Sequence, residues 1–258
     1  MALLDGKTAL VLGVANKFSI AWAIARALHR EGARLVLAYQ GERVERGVRR
    51  LAEELPGALV LPCDVQDDTQ IDALFAAISA EAGGLDLLVH AIAYAPTEAL
   101  EGTFVKTERE AFRVALEVSA YSLTALMQRA AALMAGRGGG AAVTLSYLGG
   151  ERVVPHYNVM GVAKAALEMS VRYLAHDLGE SGVRVNAISA GPISTASARA
   201  IRGFLEMTHR VAEQAPLRRG ITQDEVADTA TYLLSDLARG VTGEVVHVDA
   251  GYHVMGMM

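Results

Sequence analysis

The amino-acid sequence predicts an α/β fold, a single domain with a doubly wound parallel sheet flanked by helices on both faces. Short apolar runs of strand length alternate with segments of helical periodicity along the 258 residues, and strands separated by helices form parallel sheets. Gly13 directly follows the first apolar run and precedes a helical segment. This arrangement presents a helix N-terminus to a phosphate group.

The elements follow one another without an internal repeat or a linker. Strands are predicted at Lys7–Leu12, Arg34–Tyr39, Ala58–Pro62, Leu85–Ile92, 141–146, 183–189 and 244–249. Helical periodicity covers 20–31, 43–55, 67–82, 107–135, 157–180 and 222–235, whereas 195–215 is weakly patterned. Ligands of such sheets bind at the carboxyl ends of strands, where the sequence places Gly13, Gln40, Asp64, Ile92, Ser146 and Gly191. The pattern therefore predicts a Rossmann-like dinucleotide-binding domain over residues 1–258.

The composition restricts the classes of function. Hydrophobic residues make up 52% of the chain and the mean hydropathy is +0.27, which favours burial of surface against copies of the same chain. No apolar run reaches the roughly 18 residues of a membrane span. Cys63 is the single cysteine, so a cytoplasmic location is expected. A net charge of -5 without a basic cluster argues against a nucleic-acid partner, and the absence of metal-binding motifs predicts no metal site.

The loop after the first strand is a weak cofactor motif when it is taken alone. It holds one glycine, Gly13, where a G-x-G-x-x-G pattern would hold three, so an ordinary strand-to-helix turn is an alternative. Ser19 is expected to cap the following helix and to contact a pyrophosphate. Gln40 stands where Asp or Glu often binds the adenosine ribose, and because no arginine directly follows it, NADH is favoured over NADPH.

Two further strand ends carry open alternatives. Asp64 either accepts a hydrogen bond from an adenine amino group, with the Val65 backbone against the ring, or caps the helix at 67–82. His90 lies inside the fourth strand, where a satisfied core histidine is expected.

The stretch Ser146–Lys164, SYLGGERVVPHYNVMGVAK, concentrates the usable chemistry. Tyr157 and Lys164 are seven residues apart, so on a helix both point the same way, about 10 Å apart along the axis. A cationic lysine near a phenol is expected to lower the pKa of the phenol and to favour its use as a hydrogen-bond donor or acid. A helix with one interfacial tyrosine and one snorkelling lysine is the alternative.

Several segments resemble a known family. GVANKFSIAWAIA after the first strand and CDV after the third are similar to the short-chain dehydrogenase/reductase superfamily, although Gly161 occupies the lysine position of its usual Tyr-x-x-x-Lys pattern. The Tyr-x6-Lys of YNVMGVAK, with Tyr147 ten residues before Tyr157 and with the segment SAGPI, resembles the NADH-dependent enoyl-[acyl-carrier-protein] reductases of bacterial type II fatty acid synthesis. The resemblance covers essentially the whole chain.

The resemblance implies an enzyme that transfers a hydride from NADH to the trans-2 double bond of an enoyl thioester on acyl-carrier protein. It implies that Tyr157 hydrogen-bonds the thioester oxygen, that Lys164 binds the nicotinamide ribose and that Tyr147 lines the acyl pocket. It also implies a substrate contact at Ala95, a mobile substrate-binding loop at about 195–210 and a homotetramer without a membrane partner. The cofactor contacts that it implies are Gly13, Ser19, Ile20, Gln40, Asp64, Val65, Ile92, Lys164, Ile193, Ser194, Thr195, Ala196 and Ser197.

Two other functions are compatible with parts of the sequence. A ketone or alcohol dehydrogenase of the same superfamily is the first, and the missing Tyr-x-x-x-Lys pattern argues against it. The longer Tyr157–Lys164 spacing is expected to place the hydroxyl over a carbonyl beyond the reacting carbon, which favours enoyl reduction. A cofactor-binding regulator without activity is the second, and the presence of both side chains argues against it.

Overall fold

The computed structural model describes residues 2–195 and 204–256. Within them, seven strands form one sheet in the order β3-β2-β1-β4-β5-β6-β7, and every neighbouring pair is parallel. The predicted fold class is confirmed. The strands are β1 (Thr8–Leu12), β2 (Arg34–Tyr39), β3 (Leu59–Pro62), β4 (Leu87–His90), β5 (Gly140–Ser146), β6 (Val183–Ala190) and β7 (Val245–Val248).

Helices cover both faces of the sheet, because alternate strand residues point to opposite sides. In β1, Ala9 and Val11 pack with α1 and α8, whereas Leu10 and Leu12 pack with α3, α5 and α6. The helices are α1 (Ile20–Arg30), α2 (Glu42–Ala52), α3 (Asp68–Ala82), α4 (Arg109–Leu116), α5 (Ser122–Ala135), α6 (Val159–Leu178), α7 (Phe204–Gln214) and α8 (Gln223–Leu234). No helix of the described residues is long and apolar enough to cross a bilayer.

Three predicted elements differ from the structure. The helix predicted over 107–135 is interrupted by a π-helical turn, Glu117–Tyr121, which joins α4 to α5. The helix predicted to begin at 157 begins at Val159, so Tyr157 precedes it. The weakly patterned stretch 195–215, where no helix was predicted, includes α7, which covers 204–214.

The sheet reverses its strand order between β1 and β4, which are neighbours. The chain winds from β1 through β2 to β3 on one side, and from β4 to β7 on the other. The carboxyl ends of β1 and β4 therefore border a crevice, and crevices of this kind are where open α/β sheets bind ligands.

Candidate active site

The loop after β1 is shaped by the close approach of β4. Gly13 has a φ of +101°, and a Cβ built on it would lie 2.1 Å from the carbonyl oxygen of Ala91. Any larger residue would push the two strand ends apart. Six residues later, the Ser19 hydroxyl accepts a hydrogen bond from the Trp22 N–H at 3.3 Å and caps α1, as predicted. The N-terminus of α1 thus faces the crevice, where the first N–H groups of a helix lack partners within the helix.

A cavity of about 170 Å³ lies between this loop, the end of β4 and α6. Its lining fits the phosphates and ribose of a dinucleotide, because it combines a glycine-supported loop, a helix N-terminus and the ammonium group of Lys164. It includes six of the residues predicted to contact cofactor, namely Gly13, Ser19, Ile20, Ile92, Lys164 and Thr195.

Gln40 and Asp64 meet at the ends of β2 and β3. The Gln40 side-chain N–H donates to Asp64 Oδ2 at 3.1 Å, and the other Asp64 oxygen accepts from the Gln66 N–H at 3.0 Å. The alternative that Asp64 caps the next helix is wrong, because Asp67 caps α3 through the N–H groups of Thr69 and Gln70. The pair places a carboxylate at the edge of the sheet where β2 and β3 end.

Tyr157 stands in a tight turn just before α6. Its neighbours His156 and Asn158 have φ values of +63° and +41°, and such backbone ends any helix that would otherwise begin earlier. The Tyr157 ring packs against Gly149, where a Cβ would lie 2.4 Å from ring atom Cδ1. The Asn158 side chain donates to the Gly102 carbonyl at 3.4 Å. The orientation of the Tyr157 side chain is therefore set by this turn and by its packing, and not by a position on a helix face.

The two tyrosines share a second cavity. Tyr147 and Tyr157 pack edge to face, with ring centroids 5.0 Å apart. Burial raises the pKa of Tyr147 to about 12 and raises that of Tyr157 further, so both are neutral phenols at physiological pH. The expectation that a lysine lowers the phenol pKa of Tyr157 is wrong, because desolvation of the phenolate is the larger effect.

This second cavity, of about 380 Å³, is mostly apolar and adjoins the first. The two share Ile20, Ala93 and Thr195. Ala95, the predicted substrate contact, and Ile193 both line it. Ligands in the two cavities would therefore lie next to each other.

Lys164 lies on α6 with only 5% of its surface exposed. Its ammonium group donates to the Leu145 carbonyl oxygen at 2.6 Å, which leaves two N–H donors for the adjoining cavity. Burial lowers the pKa of Lys164 to about 8, and the neighbouring Glu168 opposes that shift. The alternative of a snorkelling surface lysine does not fit this burial.

His90 is a satisfied core histidine, as expected. Its Nδ1 lies 2.8 Å from Thr144 Oγ1 and its Nε2 lies 2.7 Å from Ser122 Oγ. Because the Ser122 hydroxyl donates to the Val118 carbonyl at 2.7 Å, His90 is the donor at Nε2. Burial, followed by the charge of Lys164, lowers the histidine pKa to about 3, so the ring stays neutral.

Replacing Ser122 by alanine should lower the free energy of unfolding by about 2 kcal/mol, because a buried ring N–H loses its acceptor. Urea denaturation followed by circular dichroism measures the change. Ser170→Ala is the matched control, since that hydroxyl also donates to a helix carbonyl, Ala166, but is only half-buried. Equal effects of the two replacements would contradict the role given to the histidine network.

The remaining predicted residues have varied surroundings. Val65 is buried against the core, and Ser194 is exposed at the end of the turn after β6. Ala196 and Ser197 lie outside the described residues.

Sequence reasoning missed Met207 of α7, whose sulfur lies 3.4 Å from the Tyr147 hydroxyl. No local pattern identifies that contact, because 60 residues separate the pair.

Fold and site together define a nicotinamide-dependent enzyme of the short-chain dehydrogenase/reductase superfamily. The sequence profile described as enoyl-(acyl carrier protein) reductase matches residues 13–253. The chain belongs to this family.

Individual relatives agree with this assignment. The enoyl-[acyl-carrier-protein] reductase [NADH] of Bacillus cereus is 56% identical over 99% of this chain and 100% of its own. That of Salmonella typhimurium is 46% identical over 100% of this chain and 98% of its own. The crystal structure of the Bacillus cereus reductase with NADP+ and indole naphthyridinone superposes with a TM-score of 0.97, at 56% identity and full coverage of both chains. The Aquifex aeolicus structure gives 0.96, at 51% identity, covering 99% of this chain and 100% of the other.

Proposed function

We propose that this protein reduces the trans-2 double bond of enoyl thioesters carried on acyl-carrier protein, with NADH as the hydride donor. This reaction is the last reductive step of the fatty acid elongation cycle. The observation that supports it most directly is the pair of adjoining cavities. One is apolar and holds two tyrosines, the other holds a buried lysine beside a helix N-terminus, and Ile20, Ala93 and Thr195 line both.

In this proposal Tyr157 stabilises charge that develops on the substrate. Bound NADH supplies a hydride to the β-carbon of the enoyl thioester, and negative charge then accumulates on the thioester carbonyl oxygen. The neutral phenol of Tyr157 donates a hydrogen bond to that oxygen from a fixed position in a mostly apolar pocket, where such a donor is most effective. The α-carbon then takes a proton. Tyr147 packs on the Tyr157 ring and lines the acyl pocket.

Lys164 holds the cofactor in place through the two N–H donors that face the cleft. The third N–H donor of Lys164 bonds the Leu145 carbonyl and fixes the ammonium group to the end of β5. The pyrophosphate would lie at Gly13, Ser19 and Ile20, with Ile92 beside the nicotinamide end. Gln40, Asp64 and Val65 would hold the adenosine, and Ile193 through Ser197 would cover the nicotinamide and pyrophosphate.

The Gln40–Asp64 pair supports NADH as the cofactor that this chain prefers. A 2′-phosphate on the adenosine ribose would approach the Asp64 carboxylate, which repels it. We expect kcat/KM to be about tenfold higher with NADH than with NADPH, a difference of about 1.4 kcal/mol. Initial rates with both cofactors measure the ratio of the two kcat/KM values. Asp64→Asn should bring this ratio closer to one. Equal or faster reduction with NADPH would contradict the proposal for this pair.

Substrate preference tests the reaction itself. NADH oxidation, followed by absorbance, should proceed with a crotonyl thioester and not with an acetoacetyl thioester. The opposite preference would assign a ketone reductase. Binding of NADH without turnover of either thioester would assign a regulator.

The assembly and location form part of the same proposal. We infer one catalytic domain over residues 1–258, a substrate-binding loop at about 195–210 and a homotetramer in the cytoplasm. Exposed apolar side chains on α4 and α6 and in the π-helical turn, Phe112, Met169, Tyr173 and Tyr121, support contact with further copies. Light scattering should give four times the chain mass, and a monomer would contradict the assembly.

A further inference from the structure

Glu168 is a buried carboxyl group to which the proposed reaction assigns no role. It lies on α6, four residues after Lys164, so both side chains occupy the same face of the helix. Only 5% of each residue is exposed. Burying a carboxylate is costly unless it is paired or hydrogen-bonded, so the contacts of Glu168 call for an explanation.

The contacts of Glu168 lead to the end of β5. The Ser146 hydroxyl donates a short hydrogen bond to Glu168 Oε1. The turn that follows is packed on the same oxygen, because a Cβ on Gly150 would lie 2.8 Å from it. One residue before Ser146, the Leu145 carbonyl accepts from Lys164. Two consecutive residues of β5 are therefore tied to α6, one through each charged side chain, and Tyr147 follows directly.

We propose that Glu168 is a positioning residue for the reaction, which through Ser146 fixes the path of the chain from β5 to Tyr147 and provides Lys164 with a counter-charge inside the fold. The proposal rests on the function proposed above. It adds a fourth side chain to the three predicted from the sequence, and it explains why Ser146, Lys164 and Glu168 are all buried.

Burial raises the pKa of Glu168, and the hydrogen bond from Ser146 is the largest effect that opposes this shift. Among the neighbouring charges, Glu151 in the turn after β5 raises this pKa, whereas Arg172 on the next turn of α6 and His247 of β7 lower it. Lys164 is faced by Glu168 and by the neutral His90 of β4. Within this set, Glu168 is the group whose charge raises the lysine pKa, against the larger effect of burial.

Replacement of Glu168 by glutamine removes the charge and keeps an oxygen that accepts from Ser146. The lysines of the chain are Lys7, Lys17, Lys106 and Lys164, so ¹⁵N-lysine labelling gives four side-chain signals to follow against pH. We expect the Lys164 midpoint, at about 8 in the unaltered chain, to fall by about one pH unit in Glu168→Gln. Since the protonated lysine is the active form, the alkaline limb of kcat/KM should move to lower pH with it.

Two controls separate charge from packing. Asp177→Asn removes a carboxylate from the exposed side of the same helix and should leave the midpoint in place. Glu168→Asp keeps the charge, so the Lys164 midpoint should stay at its value in the unaltered chain. An unchanged Lys164 midpoint in Glu168→Gln would refute the role of Glu168 as a counter-charge. The titration does not require turnover, so its result is independent of the proposed reaction.

Ser146→Ala tests the positioning and remains informative if Glu168→Gln fails to fold. It removes the hydrogen bond and leaves the carboxylate, so we expect kcat for crotonyl thioester to fall about tenfold with the alkaline limb unmoved. An unchanged kcat would overturn the link from Glu168 to Tyr147. Absence of enoyl reduction in the unaltered protein would instead refute the proposed function.

Discussion

Replacement of Tyr157 by phenylalanine is expected to lower kcat for enoyl-thioester reduction about 100-fold, because one preorganised donor to the developing oxyanion is lost. NADH affinity should change little, since Tyr157 lines the apolar cavity and not the one that Lys164 lines. Stopped-flow absorbance measures the hydride-transfer rate, and NADH fluorescence measures the affinity.

The matched control is Tyr232→Phe on α8, a tyrosine that is 43% exposed, lines neither cavity and should behave like the unaltered protein. A large loss of NADH binding in Tyr157→Phe would refute the role assigned to this residue. A small loss of rate would move the oxyanion donor to Tyr147, the other phenol of the cavity.

Replacement of Lys164 by glutamine should weaken NADH binding about 30-fold, which corresponds to about 2 kcal/mol for hydrogen bonds from a charged group. Glutamine retains a donor that reaches toward the Leu145 carbonyl, so the loss reports chiefly on the charge. Because burial lowers the lysine pKa to about 8, NADH affinity of the unaltered protein should fall as the pH rises through that value. Fluorescence titration across pH 6 to 10 measures both effects.

In the variant, that pH dependence should disappear. Lys106→Gln, a change at an exposed lysine, serves as the control and should preserve both affinity and pH dependence. An affinity in Lys164→Gln equal to that of the unaltered protein would show that the ribose is held by other groups.

The sequence was sufficient to predict the sheet and the elements that deliver the site. Each predicted strand overlaps an observed one, because apolar runs between helical segments are determined locally. Gly13, Ser19 and Lys164 lie together at the crevice because the carboxyl ends of parallel strands share one edge.

What the sequence did not predict depends on contacts that are distant in the chain. Tyr157 leaves the helix because of the backbone at His156 and Asn158, and the sign of its pKa shift follows from burial that no local pattern gives. Glu168 was predicted only as part of a helix. Its position four residues after Lys164 indicates that both side chains lie on one helix face. Its hydrogen-bond partner Ser146, however, is 22 residues away in the chain.

The π-helical turn between α4 and α5 makes the site sensitive to the length of the chain at one point. Such a turn is one residue longer than regular helix, so a chain shortened by one residue there could keep the buried faces of both helices. It would lose the extra residue that places Ser119 within hydrogen-bond distance of the Tyr94 backbone and Ser122 within hydrogen-bond distance of His90. A single-residue deletion could thus leave the hydrophobic core intact and still release the segment that follows β4, which no substitution at the surface of these helices would do.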